Sequence, residues 1–125
     1  MLKRTRELSE HYGLRVANVF HAGDGNLYPL ILYDANKPGE LERTEEFGAE
    51  ILDLCIEVGG TITGEHGVGI EKLRGMCNQF APAELERFLS IKAAFDPQGL
   101  LNPGKGVPTL HRCAEFGRMR VHAGA

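Results

Sequence analysis

The sequence predicts an α+β fold in which a small antiparallel sheet packs against two main helices. Two short, β-branched apolar runs flank the glycine-rich segment HAGDGN, and two longer stretches, 41–58 and 82–95, carry apolar residues at helical spacing. Glycine or proline marks most of the junctions between them. With 125 residues the chain has one domain's worth of length, so one core is expected. The 42% hydrophobic and 25% charged residues are those of a globular protein rather than a disordered one.

Residues 3–12 read as a short polar helix with Leu8 and Tyr12 on one face, and Gly13 is placed to end it in a left-handed cap. Runs 15–20 (RVANVF) and 27–33 (LYPLILY) read as the strands of a hairpin. Pro29 lacks an N–H and is expected at a strand start, bulge or edge. In 41–58, Phe47, Ile51, Leu54, Cys55 and Val58 recur every three or four residues, as an amphipathic helix requires, and Gly59 and Gly60 stop it. Thr61, Ile62 and Thr63 are expected to form a short strand, and residues 70–76 a helical turn or two. Pro82 opens a further helix over 82–95 that Asp96 and Pro97 close. Residues 96–106 are turn-rich, and 107–125 show no period, which predicts an extended arm or a frayed end with 118–125 as a tail.

The net charge of −3, from 14 basic and 17 acidic side chains, gives no footprint for nucleic acid or anionic lipid. No stretch approaches the roughly 18 apolar residues of a membrane helix, and Met1, Leu2, Lys3 and Arg4 do not begin a signal peptide. A cytoplasmic or cytoplasm-facing location is expected. Cys55, Cys77 and Cys113 are odd in number and widely spaced, so three reduced thiols are expected, with Cys55 in the core.

Three segments carry chemistry. HAGDGN presents His21 after a strand, although an ordinary polar hairpin turn explains GDGN equally well. GEHGVG, residues 64–69, sets the carboxylate of Glu65 beside the imidazole of His66; in a glycine-supported turn both can face a ligand, and a solvated loop accounts for them as readily. NPGKG, residues 102–106, offers Lys105 to a carboxylate or phosphate, whereas Lys72 and Arg74 read as a wet helix face. Three glycine-framed segments with ionisable or amide side chains are more than a small structural domain needs, and a shared site follows from them.

VANVFHAGDGNLYPLILYDANKPGE, GGTITGEHGVGIEKLRGMC and KAAFDPQGLLNPGKGVPTLHRCAEFG together resemble the C-terminal part of the FAD-linked oxidases of the vanillyl-alcohol oxidase type, in the branch that acts on 2-hydroxy acids. The resemblance covers residues 1–117 of this chain, as part of a C-terminal cap domain, but only about the last quarter of such a subunit. It implies a protein that helps oxidise a D-2-hydroxy acid, glycolate or D-lactate, to the 2-oxo acid with electrons passing to FAD. By the same resemblance His21 and Glu65 match metal positions for a divalent ion such as zinc, Glu65 and Asn102 lie on the cofactor side, and His66 matches the catalytic base; Lys105, which follows Asn102 in the same NPGK segment, and Tyr28, where the sequence departs from the pattern, are expected at the substrate. The implied partners are an FAD-binding domain in cis or in trans, a second flavin-type subunit and an iron-sulfur subunit, with peripheral attachment at the inner membrane through them. The FAD-binding domain is expected to lie outside this chain, so the chain alone is expected neither to hold flavin well nor to turn over.

One departure stands out. The family pattern follows HAGDGN with an apolar residue and a second His, where this sequence has Leu27 and Tyr28. A phenol of pKa about 10 is a poorer ligand than neutral imidazole, so metal affinity is expected to be weaker or absent, or Tyr28 donates a hydrogen bond to substrate instead. A non-catalytic, partner-binding remnant is the alternative function, and a stand-alone metal hydrolase built on His21, Glu65 and His66 is a third.

Overall fold

A polar helix needs one apolar face to hold it, and Leu8 supplies that face in α1 (Leu2–Tyr12), which ends at Gly13 with φ 63°. The Gly13 and Leu14 N–H groups donate to the carbonyls of Glu10 and Ser9, closing the last turn as the Gly cap predicts. The computed structural model describes residues 1–116 and divides the chain into two units, Met1–Gly59 and Gly60–Ala125. The expected tail, 118–125, lies outside the described residues.

In the first unit β1 (Arg15–His21) pairs antiparallel with β2 (Asn26–Leu32) through one 3₁₀ turn at Ala22–Asp24. Gly25, at φ 66°, supplies the left-handed residue that returns the chain into β2. Pro29 faces Asn18 across a two-stranded sheet, where each strand keeps one free edge and a missing N–H is tolerated. The helix α2 (Glu40–Glu57) buries Phe47 and Ile51 against Leu8 and Leu14, with Val16 and Ile31 of the hairpin and Tyr12 of α1 packed around them. Phe47 is fully enclosed and stacks on Tyr12 with ring centroids 5.4 Å apart. The Tyr12 hydroxyl donates to Glu50 at 2.6 Å, which together with desolvation pushes the phenol up to about 12. At the helix start the buried Glu40 carboxylate accepts the Asp34 N–H and pairs with Lys37 and Arg43. Those contacts hold its pKa below the usual carboxylate range.

The second unit contains α3 (Leu73–Gln79), α4 (Pro82–Phe95) and α5 (Leu110–Glu115). Its interior is made by Ile62, Leu73, Met76, Leu85, Pro108 and Cys113. Pro82 opens α4 as expected, and the Glu84 carboxylate accepts the Ala81 N–H at 2.7 Å in the first turn. Asp96 ends it: its carboxylate pairs with Lys92 and accepts the N–H groups of Leu100 and Leu101, both at 2.9 Å. The Lys92 ammonium leads these causes in lowering the Asp96 pKa.

The α+β expectation holds, with five helices and one two-stranded sheet among the described residues. Several local expectations do not. Thr61, Ile62 and Thr63 form no strand, because no neighbouring strand pairs with them; the Ile62 N–H donates instead to the Gln79 side chain at 3.0 Å. The helix expected at 70–76 begins three residues later at Leu73, after left-handed Gly67 and Gly69. Within the supposed arm, α5 forms with its N–H of Arg112 capped by the Thr109 hydroxyl. Cys77 of α3 and Cys113 of α5 are a disulfide rather than two thiols, their Cα atoms 5.5 Å apart. Sequence spacing does not reveal that approach, since the fold brings together residues 36 apart. Cys55 lies outside the disulfide, half-buried rather than in the core.

Candidate functional site

Alternation along the hairpin sorts the first group of candidate residues. Val16 and Ile31 point to the core, so the partners of opposite parity, Val19, His21, Asn26, Tyr28, Leu30 and Leu32, share the other face. That face is open: Val19, Leu30 and Leu32 are 54%, 51% and 48% exposed. At its turn end the rings of His21 and Tyr28 meet edge-on with centroids 5.8 Å apart, and the Asn26 side-chain amide donates to the Tyr28 hydroxyl at 3.0 Å. The amide that fixes the phenol was not singled out by sequence reasoning; its signal is the two-residue spacing that puts both on one strand face.

The second group lies in the other unit, on loops rather than on regular elements. Gly67 and Gly69 take φ 82° and 55°, and the Thr63 hydroxyl accepts the Gly67 N–H at 2.9 Å, closing the GEHGVG turn. In that turn the Glu65 carboxylate lies 3.4 Å from Nε2 of His66, and both side chains are more than half exposed. The Gly106 N–H donates to the Gly69 carbonyl at 2.8 Å, which ties the NPGKG loop to the GEHGVG loop. Asn102 sits at φ 44° and its carbonyl accepts the Lys105 N–H at 3.3 Å. Its exposed side-chain amide makes no hydrogen bond among the described residues.

The outcome is an open cavity of about 360 Å³ lined by residues 66–72 and Lys105. Its lining includes His66 and Lys105 but no residue of HAGDGN, and it adds Lys72, which the sequence read as wet helix face. Lys72 is half-buried where Arg74 is exposed. A neighbouring hollow of about 460 Å³, lined by Ile62, Val68, Met76, Phe80, Phe88 and Val107 among others, is almost wholly apolar.

The expected metal centre fares differently. His21 belongs to the first unit and Glu65 to the second, and among the described residues no three His, Cys, Asp or Glu side chains gather to hold an ion. With Tyr28 beside His21, the local donors are one imidazole and one phenol, which is not a divalent-metal set. Asn102, with its free amide at a turn beside the cavity loops, is of a kind that suits the polar edge of a flavin.

Residues 1–106 match the family model for FAD linked oxidases, C-terminal domain. The chain belongs to this family. Within the FAD linked oxidases it is 64% identical over 124 residues, 99% of its length, to the glycolate oxidase subunit GlcD of Escherichia coli strain K12. It is 42% identical over 84% of its length to the same subunit of Bacillus subtilis. To a D-lactate dehydrogenase of Archaeoglobus fulgidus it is 41% identical over 86% of its length. The chain spans about a quarter of the length of these relatives, from 22% to 25%. The family match ends at residue 106, so α5 and Cys113 lie beyond it. No helix among the described residues is long and apolar enough to cross a membrane.

Proposed function

We propose that this chain is the substrate-side portion of a flavoenzyme that oxidises a D-2-hydroxy acid, glycolate or D-lactate, to the corresponding 2-oxo acid. The observation that carries the reading is the Gly106 to Gly69 hydrogen bond, which unites the His66 loop and the Lys105 loop at one cavity. The 64% identity to a glycolate oxidase subunit supports the same chemistry.

In this reading the Lys105 ammonium holds the substrate carboxylate as a point charge. The neutral imidazole of His66 accepts the hydroxyl proton, and Glu65, 3.4 Å away, stabilises the imidazolium that forms. Tyr28, the substrate-side residue expected of the first unit, has its hydroxyl held by the Asn26 amide on the open face of the hairpin. Asn102 and Glu65 take the flavin side. FAD, when bound, supplies the acceptor for the hydride that leaves the α-carbon, so that one proton and two electrons with a second hydrogen nucleus are accounted for. Residues 1–117 are then part of the cap, an FAD-binding domain is its partner, and a second flavin-type subunit and an iron-sulfur subunit take the electrons onward.

The test is complementation. The FAD-binding portion of a glycolate oxidase subunit, truncated before its own C-terminal quarter, is mixed with this chain, and glycolate- or D-lactate-dependent dye reduction is followed. Turnover that appears only on mixing, and falls by roughly 10²–10⁴-fold with His66→Ala, is expected. Turnover indifferent to His66→Ala removes the imidazole from the mechanism. No turnover with any flavin partner favours the partner-binding alternative, to which the exposed Phe95, Leu100 and Leu101 lend an apolar contact surface.

A further inference from the structure

Lysines in this fold that approach a carboxylate are matched with one: Lys37 with Glu40, and Lys92 with Asp96. Lys72 and Lys105 are not, since neither makes an ion pair or side-chain hydrogen bond among the described residues. Yet both line the cavity that holds His66. Lys72 is also half-buried, and its position is fixed by its own backbone, whose N–H donates to the Val68 carbonyl at 3.2 Å and whose carbonyl accepts the Met76 N–H at 3.1 Å. The lysine is therefore rooted in the loop that carries His66, while Lys105 enters from the loop joined to it at Gly69. Among the lining residues Glu71 is the one carboxylate against these two ammonium groups, and the Glu65 carboxylate stands beside the lining His66 at 3.4 Å.

Two unmatched ammonium groups at one cavity, with an imidazole among the lining residues, form an anion site. We infer that Lys72 binds the substrate carboxylate jointly with Lys105, so that the cavity selects small carboxylate anions over their neutral amides. The inference rests on the reading of this cavity as the substrate side. It assigns to Lys72 a role in binding rather than in proton transfer. A carboxylate offers two oxygens, one for each ammonium group, and the charge they share is what an uncharged analogue lacks.

The experiment uses the 125-residue chain alone, without flavin, so that its result is independent of turnover. Sodium glycolate and, at equal ionic strength, glycolamide are titrated into labelled protein while the amide signals of Gly67, Gly69 and Gly106 and the ring signals of His66 are followed by NMR. Glycolate is expected to shift them saturably and glycolamide not to. Lys72→Gln, which keeps most of the side-chain length, is expected to weaken glycolate binding about tenfold or more, and Lys72→Arg to restore most of it. Lys72→Met serves as a second neutral variant if the glutamine variant shows altered signals in the core. Glycolate bound equally by wild type and both neutral variants, or glycolamide bound as well as glycolate, overturns the inference. In the complemented enzyme the companion readout is a raised KM with kcat within about twofold. Saturable, Lys72-dependent binding by a chain that no flavin partner activates would sustain this inference while removing the oxidase reading.

Discussion

The two units solve the same problem by different means. The first gathers α1, α2 and the hairpin around a fully enclosed Phe47, so that position is set by side-chain packing on regular elements. The second has no sheet among its described residues; its loops are held by left-handed glycines, side-chain caps and a covalent bridge. The difference teaches where chemistry can be mounted. His21 and Tyr28 ride on paired strands whose alternation dictates their direction, whereas His66 and Lys105 take theirs from turns built on left-handed residues, most of them glycine.

The largest expected effect probes the packed unit. Phe47→Ala removes the enclosed ring that stacks on Tyr12 and should cost about 3–5 kcal/mol, read as an earlier urea midpoint for the hairpin signals. An unchanged midpoint would mean that the first unit is not organised around this residue. In the second unit Cys113→Ser opens the crosslink between residues 36 apart, for which loop-closure entropy gives about 4 kcal/mol. Urea unfolding with and without a dithiol reductant checks it, and the variant should lose its sensitivity to the reductant. A wild type indifferent to reduction would show that noncovalent contacts alone hold α5.

The smallest effect is common to both units and sharpens the contrast by its sign. Glu40 and Asp96 each have a pKa below the ordinary carboxylate value, through hydrogen bonds from Asp34 and from Lys92 respectively. Each therefore binds fewer protons folded than unfolded, so its stabilisation is complete above the ordinary carboxylate range and is lost as pH falls through the depressed value. Asp96→Asn should flatten the acid limb of the second unit's stability profile and Glu40→Gln that of the first. An acid limb unaltered in both variants would assign acid sensitivity to other carboxylates.

Much of this was legible from local pattern. α1 with its Gly13 cap, the hairpin, α2 and the start of α4 at Pro82 follow from periodicity and backbone preference, and the structure has them within a residue or so. What local pattern misses is decided by distant chain. A β-branched triplet such as 61–63 becomes a strand only if another strand meets it, and here Gln79 takes the Ile62 N–H. Six residues of α5 are too few to show a helical period. The Cys77 and Cys113 contact and the inward placement of Lys72 depend on how helices and loops fold back, information that no window of neighbouring residues contains. For the site, the loops around His66 and Lys105 were legible as motifs, but the hydrogen bond that joins them was not.

The bridge between α3 and α5 also changes what a cut chain would look like. Cys77 and Cys113 close a ring that contains all of α4 and the NPGKG loop. A protease that nicks the exposed backbone near Gly104 would leave two pieces travelling as one on a non-reducing gel, and they would part only when reductant is added. Lys105 would stay attached to the molecule through sulfur after its peptide connection to α4 had been severed.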